Sequence, residues 1–171
     1  MVYGIVRAHG GAIHVYSEPE EGTTFRVYLP VHGESRPILL ETEALPPRGT
    51  ETVLIVDDEK SVRAVLERIL RIGGYTTILA ENGVRALEIY QEYDEEIDLV
   101  ILDMIMPHMG GQETFQRLRE SDPDIRILLS SGYSRNDRAA ELLDVGARGF
   151  LQKPYDMDDV LHKVRQALDM P

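Results

Sequence analysis

Residues 97–107 read IDLVILDMIMP, and they decide the fold. Leu99, Val100, Ile101 and Leu102 are apolar at successive positions, the pattern of a strand covered on both faces. Asp103 interrupts the run ahead of Met104, Ile105 and Met106. Burying an isolated carboxylate costs several kcal/mol unless it is paired, hydrogen-bonded or placed at a strand end facing solvent. Asp103 must therefore find company elsewhere in the chain.

Working outward, four more strand-like runs resemble this one: TVLIVD (52–57), YTTILA (75–80), IRILLS (125–130) and RGFLQK (148–153). Helix-period segments separate them. SVRAVLERILRIGG (61–74) places apolar residues at 62, 65, 66, 69, 70 and 72 and stops at a glycine pair; segments at 82–92, 111–120, 136–146 and 156–168 behave similarly. Strands alternating with single helices imply right-handed crossovers and a parallel sheet covered on both faces. The expectation is a doubly wound α/β domain over residues 51–171.

In such sheets, ligands bind at the carboxyl ends of the strands, near the point where strand order reverses. The first strand ends in Asp57-Asp58-Glu59, the third in Asp103, the fourth in Ser130-Ser131-Gly132 and the fifth in Lys153-Pro154. Three carboxylates at one edge repel one another and raise a pKa unless a divalent ion sits among them. Magnesium suits the set, because it takes oxygen ligands and works with one or two carboxylates plus phosphate oxygens. Lys153 adds a flexible positive charge for a phosphoryl group, and a serine hydroxyl can donate to it. A carboxylate on the central strand can attack phosphorus to give an acyl phosphate, which makes Asp103 the expected acceptor.

Composition narrows the function classes. With a net charge of -12, the chain is not expected to bind nucleic acid directly. There are no cysteines, which excludes disulfides and thiol chemistry. No run reaches the eighteen apolar residues of a membrane span, and a cytoplasmic location is expected.

These residues resemble the receiver domain of two-component response regulators over about residues 52–170. That family carries an acidic pair after the first strand (Asp57-Asp58), a phosphoacceptor after the third (Asp103 in DMIMPHMGG), Ser or Thr after the fourth (Ser131) and Lys-Pro after the fifth (Lys153-Pro154). Spacings of 45, 28 and 22 residues from Asp58 through Asp103 and Ser131 to Lys153 fit that pattern. The resemblance implies a (βα)5 fold with flavodoxin-like strand order 2-1-3-4-5. It implies Mg2+ ligation by Asp58 and Asp103, with Asp57 acting chiefly through water and Ile105 offering its main-chain carbonyl. It also implies a switch made of Ser131 and Phe150, and a cis Lys153-Pro154 bond. Ile105 and Tyr133 flank the route of a hydrolytic water in this family, and neither positions water well, so slow self-hydrolysis is expected.

Residues 1–30 differ. VYGIVRAH (2–9) reads as a helix stopping at Gly10-Gly11, and AIHVYS (12–17) and TTFRVYLP (23–30) read as a hairpin. A helix plus a hairpin is too small to be a domain alone. The stretch resembles the carboxyl-terminal end of a histidine-kinase ATP-binding domain, as in a hybrid sensor kinase; the nucleotide-binding motifs of such kinases do not occur in this sequence, and no independent kinase activity is expected. This piece is expected to be sticky, dimerising or packing on a neighbour. Residues 31–50, with Pro37, Pro46 and Pro47, read as a linker.

The leading expectation is a phosphorelay receiver that signals by conformational switching or onward phosphotransfer, and whose partner is a histidine kinase or a histidine phosphotransfer protein. One alternative is an interaction module that works without phosphorylation. Another is an aspartyl-phosphate hydrolase, which wants DxD at its nucleophile, whereas Met104 and Ile105 follow Asp103. The five histidines lack metal-site spacing and read as surface or local structural residues.

Overall fold

A computed structural model of the chain describes residues 2–18, 22–30, 47–93, 96–132 and 137–170. They fall into two compact units, within Met1–Thr42 and Glu43–Pro171. The first unit holds α1 (Val2–Ala8) and an antiparallel pair, β1 (Ala12–Glu18) and β2 (Gly22–Tyr28). Gly10 adopts φ 69° after α1, a left-handed conformation that ends helices and that glycine tolerates. Ile13 lies opposite Val27 and Val15 opposite Phe25, giving this two-stranded sheet one apolar face.

The second unit is a five-stranded parallel sheet in the order β4 (Thr76–Ala80), β3 (Thr52–Val56), β5 (Leu99–Asp103), β6 (Ile127–Ser131), β7 (Gly149–Gln152). Counted within the unit, this is the expected order 2-1-3-4-5. Five helices connect and follow the strands: α2 (Lys60–Ile72), α3 (Gly83–Tyr93), α4 (Gly111–Ser121), α5 (Asp137–Asp144) and α6 (Met157–Asp169). Observed strands differ from the expected runs by one or two residues at their ends. The largest differences are at Ile97 and Ile125, which are buried but precede their strands.

Successive strand residues point to opposite faces, and both faces are covered. Leu54, Val56, Val100, Leu102, Ile127 and Leu129 pack with α3, α4 and α5 through Ile89, Phe115, Leu118 and Leu142. Val53, Ile55, Leu99, Ile101, Leu128 and Leu151 pack with α2 and α6 through Leu66, Leu70, Val160 and Val164. This double burial is why the strands read as continuous apolar runs instead of alternating ones.

Of the stretch expected to be a linker, residues 31–46 lie outside the described residues. Residues 49 and 50 sit at the start of the second unit, where the Gly49 N–H donates to the Gly73 carbonyl at 3.1 Å. α6 begins on Asp156, whose carboxylate accepts from the Asp158 and Asp159 N–H groups at 3.1 Å each. Among the described residues no helix is long and apolar enough to cross a membrane.

Candidate functional site

The topology turns around between β3 and β5: β3 continues to β4 on one side, while β5, β6 and β7 follow on the other. The carboxyl ends of β3 and β5 therefore flank the crevice where open α/β sheets bind ligands. Asp57 follows β3 directly and Asp103 is the last residue of β5. Both are buried, at 1% and 4% exposure, whereas Asp58 is exposed. Carboxylate oxygens of all three lie within 4.8 Å of one another.

Lys153 stands over this cluster. Its Nζ is 2.6 Å from Asp57 Oδ2 and 3.2 Å from Asp103 Oδ1. Burial works to lower the lysine pKa, but contact with Asp57 and the charges of Asp103 and Asp57 outweigh it and hold the ammonium above its ordinary range. Asp103 moves the other way for an acid: burial, opposed by Lys153 and reinforced by Asp57, pushes its carboxyl up to about 6. One ammonium thus leaves the buried pair of carboxylates incompletely neutralised.

The oxygens fit a small hard cation. Asp57 Oδ1 accepts from the Glu59 N–H at 2.9 Å, while its buried Oδ2 has the Lys153 ammonium at 2.6 Å as its counter-charge. Three carboxylates whose oxygens converge within 4.8 Å, faced by a single ammonium, are the donor set that divalent cations with oxygen ligands take. Arg63 of α2 braces the same loop, donating to the main-chain carbonyls of Asp57 at 2.5 Å and Asp58 at 3.0 Å.

α4 starts unusually close to the end of β5. A Cβ on Gly111 would lie 2.3 Å from the Asp103 carbonyl oxygen, so only glycine lets the helix approach there. Met106 and Met109 are buried and Met104 packs on the core, in keeping with a packing role for these methionines. Ile105 is 55% exposed two residues after Asp103, and its main chain hydrogen-bonds the Asp103 carboxylate.

The two serines ending β6 face opposite ways, because neighbours in a strand alternate. Ser131 shares its face with Leu129 and with Phe150, which is partly buried against the cluster under α4 and α5. Ser130 lies directly across the sheet from Asp103. Its hydroxyl shares a 2.6 Å hydrogen bond with the Tyr155 hydroxyl. The Lys153-Pro154 peptide is cis. Tyr133 lies outside the described residues.

The structure thus brings Asp57, Asp58, Asp103 and Lys153 together. Sequence reasoning missed Arg63 and the Ser130–Tyr155 bond. Arg63 reads only as a polar position on a helix, and Ser130 only as one of the residues ending the fourth strand. The histidines behave locally: His9 Nδ1 and His162 Nδ1 each bond a main-chain carbonyl four residues back, at 2.9 Å and 2.8 Å.

Residues 53–165 match the model of the response regulator receiver domain. The chain is 36% identical over 178 residues to the sensor kinase CckA of Brucella abortus, an alignment covering 99% of this chain and 19% of that protein. The chain thus spans about a fifth of that relative's length. It is also 36% identical to the sporulation initiation phosphotransferase F of Bacillus subtilis, over 70% of this chain and 95% of the relative. Among solved structures, a chain of the CheX–CheY–BeF3–Mg2+ complex from Borrelia burgdorferi superposes with a TM-score of 0.67 at 30% identity, covering 70% of this chain and 90% of that one. With the sheet order and the strand-end carboxylates, these matches establish that the chain belongs to the response regulator receiver domain family of two-component signalling.

Proposed function

We propose that the second unit accepts a phosphoryl group on Asp103 from a phosphohistidine of a histidine kinase or histidine phosphotransfer protein. The observation that carries this reading is the Lys153 ammonium spanning Asp57 and Asp103 at the turning point of the sheet. An Asp103 carboxylate oxygen forms the new P–O bond as the P–N bond of the donor breaks, and the electron pair returns to the imidazole. Lys153 follows the charge that develops on the phosphoryl oxygens. Ser131 donates to the same group, and Phe150 on its face of the sheet relays the change toward α4 and α5. Asp57, Asp58, Asp103 and the Ile105 carbonyl hold Mg2+, which when bound screens the carboxylates from the incoming phosphoryl oxygens. A cytoplasmic place of action goes with this reading.

Support comes from the relatives: one is a phosphotransferase, and the similar Borrelia burgdorferi chain was solved with BeF3 and Mg2+. The test is intact-protein mass after incubation with phosphoramidate and Mg2+, comparing wild type with Asp103→Asn. One phosphoryl adduct that needs Mg2+ and is lost in the variant is expected; an equal adduct in the variant sinks the assignment.

Residues 1–30 are assigned to the end of a histidine-kinase ATP-binding domain, residues 31–50 to a linker and residues 51–171 to the receiver. Similarity to the sensor kinase covers 99% of this chain, whereas similarity to the phosphotransferase covers 70%, and the difference is what the N-terminal part adds. Titration of the chain with Mg-ATP is expected to give no binding heat, and micromolar binding would refute the loss of nucleotide binding.

A further inference from the structure

We infer that Ser130 and Tyr155 are a positioning pair for phosphoryl transfer, their shared hydrogen bond fixing against the end of β6 the segment that carries Lys153. Four observations carry it. The hydroxyls meet at 2.6 Å, and Ser130 is 1% exposed, on a strand face otherwise filled by Leu128 and Ile101. A buried hydroxyl there adds nothing to apolar packing and needs a partner, which only Tyr155 is seen to provide among the described hydrogen bonds. Register sets Asp103 beside Ser130 and Ser130 beside Leu151, so the acceptor, the hydroxyl and the strand leading to Lys153 share one face.

The segment 153–155 is tied at both ends. At one end the Lys153 N–H donates to the Ser131 carbonyl at 2.9 Å; at the other the Tyr155 hydroxyl meets Ser130, its ring packed on the cluster containing Leu151 and Val160. Between these ties the lysine reaches across to Asp57 and Asp103 at 2.6 and 3.2 Å. Tyr155 remains a neutral phenol, since burial, opposed by the Ser130 hydrogen bond and the Lys153 charge, pushes it up to about 12. Loosening one tie lets the ammonium wander from the place the phosphoryl group will occupy, and small misplacements of that kind slow reactions strongly.

The inference rests on the reading of Asp103 as acceptor, and its test keeps the two apart. The full chain and its Tyr155→Phe, Ser130→Ala and double variants are phosphorylated with phosphoramidate over a range of Mg2+. Each single variant is expected to react about 3–10-fold more slowly with an unchanged Mg2+ midpoint, and the double variant no more slowly than the singles. A single variant within about twofold of wild type, or a double effect equal to the product of the singles, overturns the pair. The Lys153 ammonium resonance, read by NMR without phosphodonor, is expected to move in Tyr155→Phe while that of Lys163 stays. An unmoved Lys153 resonance overturns the pair even if wild type accepts no phosphoryl group, an outcome that would refute the Asp103 reading separately.

Discussion

The two units solve the same problem differently. In the receiver unit every strand of the sheet interior is covered twice, and Leu54, Ile101, Leu102 and Leu128 are 0–1% exposed. In the N-terminal unit the apolar face of the hairpin is open, with Val15 57%, Phe25 65% and Val27 49% exposed. A sequence pattern that closes on itself yields a core, whereas the same residue types on a two-stranded sheet cannot bury one another. The prediction that most sharply tests this difference is a pair of truncations. Leu102→Ala is expected to cost about 2–5 kcal/mol in urea unfolding, and Phe25→Ala less than about 0.5 kcal/mol in the same chain. A Phe25→Ala cost as large as that of Leu102→Ala would mean that the hairpin face is covered in solution.

The second prediction sets the acidic site against the core beneath it. Asp103 holds its proton more tightly folded, with a pKa of about 6 against an ordinary 3.8. Between those values the folded state binds more protons than the unfolded state, so stability is present at low pH and is lost as pH rises toward 6. The loss is on the order of 2–3 kcal/mol in metal-free buffer. Asp103→Asn should remove it, leaving the variant more stable than wild type at pH 7 without Mg2+, and added Mg2+ should narrow the gap. Chemical unfolding of both proteins from pH 4 to 7 checks the sign; a wild type that gains on the variant as pH rises contradicts it. The expected sign would make the proposed site one kept at a cost to stability.

A third, smaller effect concerns the lifetime of the phosphoryl group proposed for Asp103. Ile105 is 55% exposed next to Asp103 and offers no hydrogen bond to an attacking water. Ile105→Asn is expected to shorten the lifetime of phosphorylated protein by about 3–10-fold, read as loss of the mass adduct after the donor is removed. An unchanged lifetime would shift control of hydrolysis to other residues.

Much of this was legible because the relevant signals are local. Leu99 to Leu102 announce a doubly covered strand, and Asp103 stands out because charge does not belong there. The partners of that carboxylate were legible for a topological reason: a parallel sheet brings all its strand ends to one edge, so Asp57, Asp58 and Lys153 could be gathered without knowing any side-chain conformation. The Ser130–Tyr155 bond was not legible, since it links residues 25 apart across a cis proline and depends on which of two adjacent serines faces which side. Arg63 was hidden for another reason: it recognises main-chain carbonyls, which every residue has, so no partner residue type marks its role.

The smallest expected effect lies where the receiver unit begins. Glu51 precedes β3 and pairs with Arg165 of α6 at 2.7 Å, 114 residues away in sequence, and Arg165 also pairs with Asp169 at 2.8 Å. Burial works to raise the Glu51 pKa, but hydrogen bonds from Arg165 and the local main chain hold it below the usual carboxylate value. Both side chains remain about a quarter exposed, so solvent screens the pair and it is worth less than about 1 kcal/mol. Glu51→Gln should therefore lower unfolding stability by a few tenths of a kcal/mol at low salt and by still less at 0.5 M salt, where the Debye length is only about 4–5 Å. A salt-independent loss would point to hydrogen bonding and packing rather than charge as the way the incoming chain is fastened to α6. A loss approaching that of Leu102→Ala would mean that the unit's boundary, and not its doubly covered sheet, limits its stability.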